Sequence, residues 1–428
     1  MMTKSKFLKI LSVILILLLS VDKVFPCSAY KVTINGSTIY GINYDTWLIH
    51  PRIWFETNGY GAVFTGANYQ GGNDLTPQSG MNEFGLSFGT LATATPENGK
   101  TSPNKKQITI RSKYLKDILH TCKTVKEVNA YIEQYDHSSL SSDVFIYTDK
   151  SGQYLIVEPY KTTLGNDSKY VLANFCPSTI TDFNTIKQQR YINGTAFLKN
   201  KIDTSIAFCT ALSDTMHVCR KKIGDGTLLT SIYDLNKSLV YLYFYHDYKH
   251  QVKFDLKQEL AKGNHSFEIP SLFPANREYQ KLLNYKTPIN SVAVDSFLRF
   301  SFCLFLLTAI YFLISYFRNR KLKYASTKLL LSVFSIILMY YMLVLAREIN
   351  IFYSPAPYQD YKFSMLNIAA YIPFLTLILI FPFVLINRKI FQENAWRNFS
   401  KWLFTLNNLT YLTLIILFAY WGLYNVFN

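Results

Sequence analysis

The chain has 428 residues, of which 49% are hydrophobic, 16% aromatic and only 17% charged. That composition excludes a disordered chain and points to more than one domain, part of it membrane-embedded. The formal net charge of +16, from 44 Lys+Arg against 28 Asp+Glu, comes with no nucleic-acid-binding motif. No nucleic-acid partner is therefore expected, and basic residues flanking apolar runs account for the excess.

Lys4, Lys6 and Lys9 precede an apolar run from Ile10 to Ser20, the pattern of a secretory signal. Residues 1–26 are read as signal peptide and short propeptide. Pro26 suits neither lipidation of Cys27 nor ordinary signal-peptidase cleavage at that bond. Residues 27–285 have mixed patterning and form an α+β domain. Ser28 to Ile34 and Thr38 to Ile42 are strand-like runs separated by Asn35-Gly36, a strong hairpin signal because both turn residues need positive φ. The hairpin brings Asp45 to the end of the sheet where Cys27 begins.

Further strands are predicted at 85–91, 144–148 and 154–158, the last two joined by the turn Asp149-Lys150-Ser151-Gly152. Helices are predicted at 112–121 and 125–134, the second with Thr124 and Glu127 as a capping box. Residues 231–233 and 239–245 read as another hairpin, and 246–295 as the last soluble segment followed by a linker at 286–296. Cys209 and Cys219 are open to pairing in an oxidising compartment.

Four apolar runs follow, at 297–317, 329–346, 365–386 and 403–426, each near the length of a transmembrane helix. Arg318, Arg320, Lys321, Lys323 and Lys328 lie between the first two without an acid. Arg388, Lys389, Arg397 and Lys401 lie between the last two, opposed only by Glu393. By the positive-inside rule those connections are cytoplasmic and residues 27–285 extracytoplasmic. Pro373 and Pro382 are expected to kink the third span. The spans hold no central Asp, Glu, Lys or His, so they read as an anchor in the lipid bilayer without polar chemistry of their own.

A cysteine at a new chain terminus carries its own base. The α-amine has a pKa of about 7.7–8.0 and can take the thiol proton, leaving a thiolate to attack an amide carbonyl. A carboxylate suits the task of orienting that amine, and backbone N–H groups or an Asn amide the task of holding the oxyanion. Cys27, Asp45 and Asn174 supply these parts. No His/Asp/Glu cluster calls for a metal, and no cofactor is expected.

Cys27-Ser28, Gly41-Ile42-Asn43-Tyr44-Asp45 and Gly80-Met81-Asn82-Glu83-Phe84-Gly85-Leu86 resemble the choloylglycine hydrolase and penicillin acylase group. They are also similar to the related acyl-coenzyme A:6-aminopenicillanic acid acyltransferase group. The block 143–158, the run Val171-Leu172-Ala173-Asn174 and Gln188-Gln189-Arg190-Tyr191 extend the likeness over roughly residues 27–245. The resemblance implies an αββα N-terminal-nucleophile sandwich that cleaves linear, non-peptide amide C–N bonds. By it, Cys27 is the nucleophile, Asp45 holds the amine and Asn174 binds the oxyanion. Asn43 lies beside the site, the backbone N–H near Ala92 is a second oxyanion donor, and Asn82 is a further candidate. The group usually has an arginine where Ile42 stands; Arg190 and Arg220 are the candidate site arginines. The expected substrate is a small or lipid-like N-acyl amide. An acyltransferase using the same site and a membrane receptor on the same fold are the alternatives.

Overall fold

The computed structural model describes residues 27–46, 50–67, 75–93, 104–219, 226–348, 350–353 and 368–425. The leader 1–26 and Arg220 lie outside the described residues. The first strands in chain order are β1 (Cys27–Ile34), β2 (Ser37–Thr46), β3 (Pro51–Glu56), β4 (Ala62–Ala67), β5 (Pro77–Asn82) and β6 (Ser87–Ala92). A short parallel pair, β7 (Lys106–Gln107) and β8 (Tyr135–Asp136), brackets helices α1 (Arg111–Thr121) and α2 (Val125–Ile132). Next come β9 (Asp143–Thr148), β10 (Tyr154–Glu158), β11 (Lys161–Gly165) and β12 (Lys169–Leu172), then α3 (Gln189–Asn200) and α4 (Ile206–Met216). The domain ends with β13 (Gly226–Asp234), β14 (Leu239–Phe244), β15 (Asp247–Asp255), α5 (Leu256–Leu260), β16 (His265–Glu268) and α6 (Arg277–Asn284).

The strands form two antiparallel sheets, ordered β12-β1-β2-β13-β14-β15 and β11-β10-β9-β6-β5-β4-β3-β16. Alternation along each strand gives each sheet two faces. On the outer face of the larger sheet, Phe64, Phe88, Phe145 and Tyr147 pack under Leu115, Ile118 and Leu119 of α1 and Val125 and Val128 of α2. On the outer face of the smaller one, Tyr30, Val32, Ile39 and Ile232 pack under Leu198 of α3 and Cys209, Leu212 and Met216 of α4. The result is a four-layer α+β arrangement, helices–sheet–sheet–helices.

Between the sheets the contact is close and partly polar. The Tyr40 and Tyr233 rings stack at 6.0 Å, and Thr65 and Ser79 hydroxyls, 2.6 Å apart, meet the Tyr233 hydroxyl from the opposite sheet. Gly89 faces this layer. A Cβ there would lie 2.0 Å from the Tyr40 hydroxyl oxygen and 2.6 Å from Ile42 Cδ1, so only glycine lets the two sheets approach this closely.

The expected turns form. Asn35 and Gly36 both have positive φ, 49° and 76°, and join β1 to β2 in full register from Ile34–Ser37 to Cys27–Tyr44. Thr124 caps α2 by accepting from Glu127 N–H, and Glu127 reaches back to Lys123 N–H at 2.7 Å. The hairpin of 231–233 and 239–245 is longer than expected, β13 starting at Gly226.

The last soluble segment carries strands that the sequence does not announce: β15 adds an edge strand to one sheet and β16 to the other. The run Lys249-His250-Gln251 faces solvent, as an edge strand should, and therefore reads as loop. No disulfide joins Cys209 to Cys219, and none of the other four cysteines forms one. Cys209 is buried beneath Tyr30, whose hydroxyl donates to its carbonyl at 2.7 Å, whereas Cys219 is exposed. Pro373 does not kink the third span, because it sits in the first turn of that helix, where its missing N–H costs nothing; only Pro382 is interior.

The chain divides into two compact units, and residues from Leu283 onward belong to the second. Within it, Thr287 is fully buried, Trp421 Nε1 donates to Lys286 O at 2.9 Å, and α7 already begins at Val292. Among the described residues, four helices are long and apolar enough to cross a membrane: α7 (Val292–Arg318), α8 (Ala325–Arg347), α9 (Ile372–Gln392) and α10 (Asn398–Tyr420). They are not uniformly apolar inside. Asn407, fully buried, donates to Thr308 Oγ1 at 2.8 Å, and Asn387 donates to Thr405 Oγ1 at 2.9 Å. Such amides hold helices together through hydrogen bonds, and hydropathy averaging hides them.

Gly89→Ala is expected to destabilise the protein by about 1–3 kcal/mol, read as a fall in melting temperature. Adding Tyr40→Phe, which removes the oxygen nearest the new methyl, is expected to restore part of the loss; no restoration would show that the clash is elsewhere. A second expectation concerns His137, whose Nε2 is 2.8 Å from the Tyr114 hydroxyl. Burial, and next the Lys105 charge, push its pKa down to about 4. The folded state thus keeps this imidazole neutral while the unfolded chain protonates near its ordinary pKa of about 6.5. Stability from this group is complete above that pH and declines as pH falls toward 4. The drop in melting temperature between pH 7 and pH 5 is expected to be smaller in His137→Gln.

Candidate active site

The site is assembled by register. β1 is flanked by β2 on one side and β12 on the other, both antiparallel. Ala29 lies opposite Leu172, so two further steps along each chain set Cys27 opposite Asn174 just beyond the end of β12. The Cys27 backbone nitrogen donates to Asn174 Oδ1 at 2.7 Å. Asn174 Nδ2 donates to Ala92 O at 2.7 Å, which ties the site to the last residue of β6 in the opposite sheet.

Residues at the start of α3 brace this pair. The Gln188 side-chain amide grips the Asn174 main chain from both sides, accepting from its N–H at 3.1 Å and donating to its carbonyl at 2.9 Å. Arg190 Nε donates to Cys27 O at 3.1 Å, and its terminal nitrogen donates to Asn174 Oδ1 and to Gln188 Oε1. Cys27, Asn174, Gln188 and Arg190 form one closed ring of hydrogen bonds. Phe175 packs edge-on against the Tyr191 ring, 5.2 Å away, fixing the segment after Asn174 to the helix that carries Arg190.

Asp45 approaches from β2. It is fully buried, and its Oδ1 accepts from the Thr227 hydroxyl at 2.5 Å. Val218 N–H donates to that same hydroxyl at 2.9 Å, which leaves the threonine proton directed at the carboxylate. A bulge in β13 between Thr227 and Leu229 turns Thr227 to this position. The Asp45 backbone N–H donates to the Cys27 thiol.

Cys27 is itself buried, 2% exposed. Burial pushes its thiol up to about 12, and the Asp45 carboxylate adds to the rise. The Asp45 N–H and the Arg190 guanidinium act in the opposite sense without cancelling it. With residues 1–26 attached, the Cys27 nitrogen belongs to the peptide bond with Pro26 and has no basic lone pair. The arrangement is a held, neutral thiol. Cutting that bond would convert the nitrogen on Asn174 Oδ1 into an α-amine with a pKa near 8, on the same residue as the thiol.

Cys27, Asp45, Asn174, Ala92 and Arg190 converge. Ala92 enters through its carbonyl, as the acceptor of the Asn174 amide. Asn43 stands one layer behind, donating to Ser213 O at 2.9 Å and accepting from Thr230 Oγ1 at 2.8 Å, so it bolts β2 to α4. Asn82 is not in the site. Its Nδ2 donates to Leu119 O and Cys122 O at 2.8 Å each, and its Oδ1 accepts from Phe84 and Leu86 N–H. The tight turn that Asn82 braces abuts Leu235, whose N–H donates to Thr38 O beside the β1–β2 turn. Cys27 is at the other end of β1, an eight-residue strand spanning roughly 23 Å. Gln188 and Thr227 are site residues that sequence reasoning did not assign; Gln188 stands beside the singled-out Arg190, and Thr227 has no sequence signal.

No protein-family profile and no curated protein match the chain. Among solved structures it is similar to two variants of conjugated bile acid hydrolase from Clostridium perfringens. Each is 16% identical, with 59% of this chain covered; the TM-scores are 0.44 and 0.45, over 98% and 97% of those chains. Penicillin V acylase from Agrobacterium tumefaciens is 13% identical, with a TM-score of 0.41 over 57% of this chain and 91% of that one.

The chain that retains residues 1–26 is expected to resist thiol alkylation at Cys27. Between pH 7 and 9.5, peptide mapping after iodoacetamide treatment should find exposed Cys219 modified at least roughly tenfold faster, because only a thiolate reacts. Equal rates would mean that Cys27 is neither buried nor held protonated in the native chain.

Proposed function

We propose that this protein is an N-terminal-cysteine hydrolase of linear amide C–N bonds, held at a membrane by its C-terminal helices and facing the extracytoplasmic side. The observation that carries the reading is the ring at the start of β1, in which one residue offers both nitrogen and sulfur to a preorganised set of partners. After removal of the leader, the Cys27 α-amine takes the thiol proton. The thiolate attacks the substrate carbonyl, the carbon–nitrogen bond breaks with proton return from the amine, and water then hydrolyses the thioester. Asn174 shares its Nδ2 between Ala92 O and the developing oxyanion. Asp45, steadied by Thr227, sets the electrostatics of the amine and thiol. Arg190 is a positioning residue: it clamps the Cys27 carbonyl and the Asn174 amide oxygen into one geometry.

The substrate class is an N-acyl amide, small or lipid-like. The membrane reading is supported by four long apolar helices whose connections carry nearly all the flanking positive charge, and the extracytoplasmic side follows from that charge bias.

The test is the N-terminus of the mature protein extracted from membranes, together with amine release from a panel of N-acyl amides. The chain is expected to begin at Cys27, and Cys27→Ala to abolish release. Arg190→Lys is expected to lower kcat by about tenfold or more, because a point charge does not replace the guanidinium fork, with KM little changed. An active protein whose Cys27 remains internal would overturn the mechanism, since the nitrogen would then have no basicity.

A further inference from the structure

We propose that one end of the helical unit binds the phosphodiester headgroup of an anionic phospholipid, at a site built from Lys328, Arg397 and Lys401. The inference rests on reading the four helices as membrane-embedded and is independent of the amide chemistry.

The α7–α8 and α9–α10 connections and the helix turns that flank them carry nine basic residues between positions 318 and 328 and between 388 and 401, against the single acid Glu393. They fold into one platform. Trp396 Nε1 donates to Lys323 O at 3.2 Å, and Glu393 holds Lys323 Nζ at 2.7 Å and the Tyr324 hydroxyl at 3.0 Å. The only carboxylate of the platform is therefore engaged at its outer edge. The remaining cations must find other company.

Two of them are buried. Lys328 is 3% exposed and Lys401 6% exposed, because both lie inside the first turn of a helix and not in the loops. Lys328 Nζ donates to Ser315 Oγ at 2.9 Å and stands 5.0 Å over the Trp396 ring. Lys401 Nζ donates to Asn394 Oδ1 at 2.5 Å and stands 5.4 Å from the Phe391 ring. Each ammonium has three donors, and among the described residues each hydrogen-bonds only to neutral partners. Burying a cation without a counter-charge is costly, and neutral ligands offset little of that cost. An anion at this place removes the imbalance.

The backbone adds to it. Both α8 and α10 begin here, and neither cap residue, Tyr324 or Arg397, supplies a side-chain acceptor to the first-turn N–H groups. Two helix N-termini without side-chain caps thus contribute partial positive charge beside the buried lysines. Arg397 follows directly on Trp396 and supplies a planar fork suited to phosphate oxygens. Phe317, Phe399 and Trp402, each more than half exposed at the same end, offer acyl chains an apolar wall, which a free phosphate would not need. The excess of positive charge disfavours a zwitterionic headgroup, whose choline adds another cation.

The experiment is a thermal-shift and native mass-spectrometry titration of the delipidated full chain in detergent. Phosphatidylglycerol is compared with phosphatidylcholine of the same chains and with soluble glycerol phosphate. Phosphatidylglycerol is expected to raise the melting temperature by roughly 3 °C more than phosphatidylcholine and to survive as a bound adduct. Arg397→Gln and Lys328→Gln are each expected to lose that increment while keeping the response to phosphatidylcholine. Arg320→Gln, on the exposed part of the same loops, is expected to retain it. Should Lys328→Gln fail to fold, Arg397→Gln alone decides. Equal effects of the two lipids, an equal effect of glycerol phosphate, or equal losses in Arg320→Gln and Arg397→Gln would each overturn the site, the last by reducing it to diffuse surface charge.

Discussion

Everything at the candidate site depends on where β1 is held. It is an interior strand, hydrogen-bonded to β2 along all eight of its residues and to β12 over four. A slip of one residue against either neighbour would turn Cys27 to the helical face and remove its nitrogen from Asn174. The neighbours make such a slip expensive. Tyr30 must lie beside Gly41, where a Cβ would stand 2.2 Å from its ring, and Tyr40 must lie over Gly89. Register is thus specified by two tyrosines that fit only over glycines, well away from the chemistry they position.

The same arrangement holds the thiol protonated while residues 1–26 are attached. Burial and the Asp45 charge raise the proton affinity of Cys27, and the nitrogen beside it is a peptide nitrogen. The hydrogen bonds made by that nitrogen are nevertheless the ones an amine would use. Arg190 bonds the Cys27 carbonyl and Gln188 bonds the Asn174 main chain, and neither contact involves the leader. Cleavage before Cys27 would therefore change the chemistry of one atom while the partners already stand in place. Preorganisation of this kind would let a single bond cleavage switch a site on without refolding it.

Local signals were legible where a few adjacent residues carry the physics. Asn35-Gly36 dictated a hairpin through its φ angles, and Thr124 with Glu127 marked a helix start. Cys27, Asp45, Asn174 and Arg190 were readable as a set because their order along the chain resembles a known group. Asn82 braces its own turn through Phe84 and Leu86 N–H, while its other partners, Leu119 and Cys122, lie 37 and 40 residues away and nothing in Gly80–Leu86 reveals them. Thr227 was invisible: a threonine at the start of a strand becomes a site residue only through a bulge and the backbone N–H of Val218, which donates to its hydroxyl. The strand β15 was hidden by its own role, since an exposed edge rich in Lys, His and Gln looks like loop.

The helical unit shows the same limit in a different solvent. Average hydropathy finds the spans but erases single polar groups within them, and those groups decide how the helices meet. Asn407 reaches Thr308 on α7 and its own helix at Leu403 O, which joins the first and fourth spans. At the loop end, flanking charge reads from sequence only as an orientation signal. The fold gives two of those cations a further property by drawing Lys328 and Lys401 into helix and burying them beside neutral partners. A charge that merely oriented the spans would do so equally well in solvent. Its burial, beside two uncapped helix ends, is a cost the structure bears at one place, and an anionic headgroup is the partner available at a bilayer surface to offset it.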